Sequence, residues 1–345
     1  MNDTQAPTLL DVARAAGVSR ATVDRVINGR PNVKAKTLQR VREAMERLSY
    51  RPDPLAAGLA RRARYRFCFL LPAGTNAFMD EVAAQVAGSA AWLAGTRASI
   101  ERRFVDVFDP FALAGAIDAV DRGFDGAAIV ALDEPHVRAA VDRLVADGIP
   151  VVTLISDAPA SRRLGFVGVD NAAAGRTAAA LLGRFSGGRG GSVGVLVGSL
   201  SLRDHVDRLF GFRQLVERDY RHLSLLPVVE TRDEDGEAEA AVARLAAADA
   251  GLVAIYNAGA GNRGAGRALS RLGADRRPVF VGHELTSASA GPLREGLFDA
   301  LIAQNAGHEV RSAARLLIAQ ASGAPIIPEQ ERIRIDVFIR ENMPD

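Results

Sequence analysis

Cysteine is almost missing from this 345-residue chain: there is one, Cys68, and it stands inside an apolar run. One cysteine excludes an internal disulfide and fits a reducing, cytoplasmic setting. Its apolar neighbours read it as a small core residue rather than a reactive thiol. Long apolar runs are missing too. None reaches the roughly 20 residues that span a bilayer, and the N-terminus lacks the charged-then-apolar layout of a signal peptide, so no membrane association is expected. The histidines (His136, His205, His222, His283, His308) are scattered without the paired spacing of metal ligands. There is neither a GxSxG nucleophile elbow nor a Cys–His arrangement. The acidic groups Asp118/Asp121 and Asp233/Glu234/Asp235 read as solvated helix and turn charges. Catalysis and a bound cofactor are therefore not expected. Repeats and low-complexity segments are absent apart from the glycine-rich turn Gly187–Gly191.

What is present is unevenly placed. Residues 1–66 carry 14 Lys and Arg against 6 Asp and Glu, a net of +8. The whole chain carries +2, so the remainder carries −6. A basic head on a mildly acidic body is the layout of an attached nucleic-acid-binding module. The length implies two or three compact units rather than one core.

The head is legible residue by residue. Leu9, Val12, Ala13 and Ala16 are apolar at helical spacing, so the first segment buries one face. Gly17 supplies the tight turn a helix-turn-helix needs. Ser19 is placed to N-cap a second helix on which Val23, Val26 and Ile27 face inward. Arg20, Ala21, Asp24 and Arg25 are left on the outer face, where guanidinium groups suit guanine edges or phosphates. A third helix, about Lys34 to Leu48, turns Leu38, Val41, Met45 and Leu48 inward. Pro52 and Pro54 mark a linker, and Leu55 to Arg62 reads as a short helix that is marginal in isolation, with a plain tether as the alternative.

Four pieces of this region, Asp11-Val-Ala, Ala16-Gly-Val-Ser, Thr22-Val-Asp-Arg-Val-Ile-Asn and Leu48-Ser-Tyr-Arg-Pro-Asp, resemble the lac repressor (LacI/GalR) family of bacterial transcription regulators. The resemblance seen in the sequence runs from end to end. It implies a helix-turn-helix domain over residues 1–50, a hinge helix and linker over 51–65, and an effector-binding and dimerisation domain over 66–345. It also implies a homodimer that reads a palindromic operator. Arg20, Ala21 and Arg25 would read the major groove, with Ser19, Thr22 and Asn28 on phosphates and Thr8 in the same DNA-facing set. Asp24 stands where relatives carry a small hydroxyl residue, so it is not counted as a phosphate contact. By position Leu59 is the hinge wedge for the minor groove, with Ala56 and Ala60 allowing close approach. Gly58 departs from the usual helix former and raises the cost of ordering. No leucine heptads follow Phe338–Asn342, so a dimer rather than a tetramer is expected.

From Phe67 the pattern changes to alternating strands and helices. Buried parallel strands are expected at 67–71, 126–131, 150–155 and 165–169, then at 192–197, 251–256 and 278–282, with helices such as 172–185 and 237–247 between them. Two doubly wound α/β lobes follow, resembling the periplasmic sugar-binding fold. The analogy puts crossovers near Asp170, Gln304 and Pro328. The N-lobe is then about 66–170 plus 304–327 and the C-lobe about 171–303 plus 328–345.

Ligands of open α/β sheets sit at the carboxyl ends of strands. Asn76, Phe78 and Met79 follow the first strand, and Ser156 and Asp157 follow the strand ending at Ile155. Arg208 matches the arginine that binds effector in relatives. Asn257 and the pair His283-Glu284 follow later strands, and Gln304 stands at the crossover. Asp170-Asn171 resembles the family too, with helix capping as the alternative role. These residues imply a small sugar or polyol as effector; a sugar alcohol, a sugar acid and a phosphosugar all stay open. Gly259-Ala-Gly-Asn-Arg-Gly264 is a literal GxGxxG with Glu284 about 20 residues on, so a dinucleotide-sensing regulator or a dehydrogenase is the rival reading.

Overall fold

A computed structural model describes residues 7–27, 33–50, 64–74 and 76–344. The chain forms two compact units, the first within residues 1–63 together with 322–324, and the second within 64–321 and 325–345. Asn28, Ala56, Leu59 and the expected hinge helix lie outside the described residues.

In the first unit α1 (Leu9–Ala16) opens with a capping box. The Asp11 amide donates to Thr8 Oγ1 at 3.4 Å, and the Thr8 amide donates to Asp11 Oδ2 at 2.8 Å. Gly17 ends the helix at φ 60°, a left-handed conformation that glycine adopts without strain. α2 (Arg20–Ile27) starts after Ser19, whose Oγ accepts from the Thr22 amide at 3.2 Å. α3 is Ala35–Arg47. The three helices bury Val12, Ala13, Ala16, Val23, Val41 and Ala44 together. Two arginines of α3 brace the turn. Arg40 donates to the carbonyls of Ala16 and Gly17, and Arg47 donates to Ala15 O at 3.2 Å, so both cations sit on the carbonyl end of α1.

The second unit begins with β1 (Tyr65–Pro72), α4 (Ala77–Gly88), α5 (Ala90–Gly95), β2 (Ala98–Val105), α6 (Pro110–Asp118), β3 (Gly126–Ile129), α7 (Pro135–Ala146), β4 (Val151–Leu154) and β5 (Gly165–Val167). These strands form one parallel sheet in the order β2-β1-β3-β4-β5. The chain then crosses to a second lobe of α8 (Asn171–Phe185), β6 (Gly191–Val197), α9 (Arg203–Asp219), β7 (Leu223–Leu225), β8 (Val229–Glu230), α10 (Asp235–Ala248), β9 (Leu252–Asn257), α11 (Asn262–Ser270), β10 (Val279–His283), α12 (Ala290–Arg294) and β11 (Ala300–Ala303). α13 (Ala306–Ser322) returns to the first lobe, where Ala306, Val310, Ala313 and Leu317 join Phe67, Phe69 and Val152 in one core. β12 (Asp336–Phe338) returns to the second and pairs antiparallel with β11. The second sheet runs β12-β11-β10-β9-β6-β7, with β8 also on β6.

Strands β1, β3 and β4 are apolar through their centres because helices cover both faces of the sheet. β2 differs. Its sequence Ala-Ser-Ile-Glu-Arg-Arg-Phe-Val alternates at a sheet edge, with charged side chains exposed. In the second lobe α8 and α9 pack unusually closely. A Cβ at Gly175 would lie 1.9 Å from Arg208 O, and one at Gly211 would lie 2.0 Å from Ala172 O. Only glycine permits that approach, and it fixes the turn of α9 that carries Arg208.

Candidate functional site

α2 presents an exposed face. Arg20, Ala21 and Arg25 are exposed on it, while Val23 points into the core. Ser19 and Thr22 share a hydroxyl–hydroxyl bond of 2.9 Å, which holds both side chains at the helix start. Thr8 is exposed but engaged in the α1 cap, its hydroxyl donating to Asp11 Oδ2 at 2.6 Å.

In the second unit the carboxyl ends of both sheets face one cleft of about 690 Å³, within the size range of small-molecule sites. The first lobe contributes Asn76, Phe78, Met79 and Ser156; the second contributes Arg208, His283 and Glu284; Gln304 lines it at the crossover. Asn76 N-caps α4, accepting from the Phe78 and Met79 amides at 3.0 and 3.4 Å, and its amide donates across the cleft to Asp233 Oδ2 at 3.2 Å. Arg208 is buried. Its Nε donates to Asn171 Oδ1 at 2.8 Å, its Nη1 donates to Ala258 O at 2.9 Å, and its Nη2 stands 3.9 Å from Glu284 Oε1. Asp170 meanwhile caps α8, accepting from the Ala173 amide at 2.8 Å.

Glu284 sits at the end of β10 in a left-handed conformation, φ 64°, a strain of the kind that concentrates at binding sites. It accepts from Gln304 twice, from the backbone amide at 3.1 Å and from Nε2 at 2.9 Å. Burial pushes its carboxyl up to about 7, against the Arg208 charge and the two Gln304 bonds. Glu309 of α13 is fully buried, and among the described residues neither of its carboxylate oxygens has a hydrogen-bond partner. Burial raises its pKa well above the usual carboxylate value, and the Glu284 charge raises it further. His283 is held well below its usual value, by burial first and then by Arg208 and His205; its Nε2 lies 2.9 Å from the Tyr256 hydroxyl.

Two expected residues stand outside the cleft lining. Asp157 turns away, because β4 ends at Leu154 and Ile155 reverses the chain at φ 67°. Its carboxylate takes both Arg163 Nε and Nη2, at 2.5 and 2.6 Å, together with the Thr153 hydroxyl at 2.6 Å. Asn257 is the last residue of β9 rather than the first beyond it. It is fully buried, and its amide goes to Ala260 O at 2.9 Å and Asn262 Oδ1 at 3.0 Å. The cleft instead receives Asn262, whose Nδ2 donates to His283 O at 2.6 Å.

Two further cleft residues escaped the sequence reasoning. Asp204 is buried in the first turn of α9, with Oδ1 unpartnered, and its spacing of four from Arg208 was the signal that put both on one face. Asp233 is not a solvated turn charge. It is half-buried, accepts from the Ala260 amide at 2.8 Å as well as from Asn76, and adopts φ 60° to do so.

The glycine fingerprint is filled by the protein itself. A Cβ at Gly259 would lie 2.6 Å from Asp233 Oδ1, one at Gly261 would lie 2.6 Å from Ala238 Cβ, and one at Gly264 would lie 1.7 Å from Asp235 O. These glycines let α11 pack on α10 and the Asp233 loop, and Glu284 is engaged by Gln304 rather than presented to a ribose.

Comparison with known proteins agrees with both units. Residues 8–53 match the family described as bacterial regulatory proteins, lacI family, and residues 67–325 match the periplasmic binding protein domain. Catabolite control protein A of Priestia megaterium is 49% identical over 76 residues, 22% of this chain and 23% of that protein. The protein of the same name from Streptococcus mutans is 45% identical over 83 residues, 24% of this chain and 25% of its own. The aligned stretch thus spans about a quarter of these relatives' length. Among solved structures, GanP, a glucose-galactose binding protein from Geobacillus stearothermophilus, superposes with a TM-score of 0.72 at 20% identity, covering 82% of this chain and 99% of that one. A solute binding protein from Burkholderia graminis in complex with D-arabinose gives 0.72 at 19%, covering 81% and 96%. Likeness at that identity establishes the fold. The match over residues 67–325 places the body of this chain in the periplasmic binding protein domain family, and the head, residues 8–53, is similar to the lacI family of bacterial regulatory proteins.

Proposed function

We propose that this protein is a sequence-specific DNA-binding transcription regulator, acting as a repressor, whose operator affinity is set by a small sugar or polyol held between the lobes. The observation that carries the reading is the cleft. Polar groups from both lobes converge at strand ends in a chain whose head is a basic helix-turn-helix. The sugars named for the two structural neighbours support this ligand class. On this reading two heads of a cytoplasmic homodimer read a palindromic operator, through Arg20, Ala21 and Arg25 in the major groove. Ligand binding shifts the lobes toward the arrangement it prefers, and operator affinity follows.

A thermal-shift screen of the full chain against monosaccharides, polyols and NAD(H) tests the ligand class, since a ligand that binds only the folded state raises the melting temperature. The expected result is a sugar or polyol that raises it, with the rise lost in Arg208→Ala. A rise with NAD(H) alone would overturn the reading.

A further inference from the structure

The charges around the cleft discriminate among the sugar classes. Three guanidinium groups line it, and each already has a partner. Arg208 holds Asn171, Ala258 O and the edge of Glu284. Arg232 lies over the Phe108 ring, 5.2 Å from its centroid. Arg263 stands 3.9 Å from Asp235 Oδ2. Against these three stand six carboxyl groups: Asp106, Asp204, Asp233, Glu234, Asp235 and Glu284. Among the described residues, a phosphate or carboxylate entering the cleft therefore meets an excess of like charge and no cation without an existing partner.

The unpartnered polar atoms make the complementary point. Asp204 Oδ1, Gln304 Oε1 and Ser156 Oγ, on three residues that line the cleft, have no hydrogen-bond partner among the described residues. The first two only accept, and the third accepts or donates. A ligand rich in hydroxyl donors answers such a set, whereas phosphate and carboxylate oxygens bring further acceptors.

We infer that the cleft takes an uncharged, hydroxyl-rich ligand and rejects the phosphorylated and carboxylate forms of the same molecule, with Asp204 as the buried carboxylate that enforces the choice. The inference rests on the sugar or polyol reading above and narrows it.

The test is calorimetric titration of the full chain with matched sets: glucose, gluconate and glucose 6-phosphate, then the corresponding galactose and arabinose sets and their polyols. The expected result is that the neutral member of at least one set binds at least tenfold more tightly than its acid and its phosphate. Raising the salt concentration should narrow that ratio, because screening weakens repulsion but not hydroxyl contacts. Asp204→Asn should narrow it at least threefold, and Asp235→Asn at the cleft rim repeats the measurement should Asp204→Asn fail to fold. An acid or phosphate that binds as tightly as its neutral parent overturns this inference while leaving the sugar reading intact. No binding by any member of any set overturns both.

Discussion

Glu284 gives the body a pH dependence of known sign. Its folded pKa of about 7 lies above the ordinary 4.5, so the native protein keeps a proton that the unfolded chain releases between those values. Stability is then full below pH 4.5, declines as the pH rises to about 7 and is flat above. Glu309 shifts in the same direction. For Glu284 the decline amounts to about 3 kcal/mol, since each pH unit between the two values is worth about 1.4 kcal/mol. Melting temperatures at pH 5 and pH 8 should show a fall in the natural protein, a smaller one in Glu284→Gln and the smallest in the double variant with Glu309→Gln. A flat natural profile would contradict the assignment. The sequence put Glu284 after a strand and Gln304 at the lobe crossover, but did not show that they bond each other, because their pairing depends on how β10 and β11 register. Asp157 shows the limit from the other side. Position after a strand put it in the site, whereas a reversal at Ile155 and the nearby Arg163 took its carboxylate away.

At the scale of elements, the α8–α9 contact predicts a linked loss. Gly175→Ala places a methyl group against the Arg208 carbonyl, so the helices must separate. Overpacking of this kind costs roughly 2–3 kcal/mol, or about 5 °C or more in melting temperature. Because the carbonyl belongs to Arg208, ligand affinity should fall as well; calorimetry checks both, and a fall in stability with unaltered ligand affinity would show that α9 absorbs the shift elsewhere. The recognition helix behaves oppositely. Arg20 and Arg25 are exposed on α2, so Arg20→Ala and Arg25→Ala should each weaken operator binding by roughly 1–3 kcal/mol, with the melting of the head unchanged. Anisotropy titration on a selected operator, beside circular dichroism melts, separates the two effects. Thr8→Ala is the contrast: losing the cap oxygen should cost the head about 1 kcal/mol. The three head helices were legible from periodicity, α8 and α10 from their composition, and β1, β3, β4, β5, β6, β9 and β10 from their apolar runs. β2 was not, because its Glu-Arg-Arg centre reads as a polar stretch until its edge position is known. β11 was missed as a four-residue strand whose apolar run also suits a helix.

Across the whole second unit, the lobes are linked by contacts no local sequence pattern reveals. Asn76 reaches Asp233 at 3.2 Å, Arg203 stands 3.8 Å from Asp133, and Leu202 of the second lobe packs into the core around Leu113 and Leu132 of the first. Asn76, Asp233 and Leu202 line the cleft, so a change in lobe angle on ligand binding acts directly on their contacts. Under the proposed function, the coupling between ligand and DNA would run through the geometry of the body, and thermodynamic linkage would make it reciprocal. The most direct test measures operator affinity with and without the sugar that raises the melting temperature. The operator is selected from random DNA by the full chain, and binding is followed by fluorescence anisotropy at fixed salt. Saturation with the sugar should change operator affinity at least tenfold, and Arg208→Ala should abolish the change. A sugar that binds the cleft tightly while leaving operator affinity unchanged would contradict the coupling.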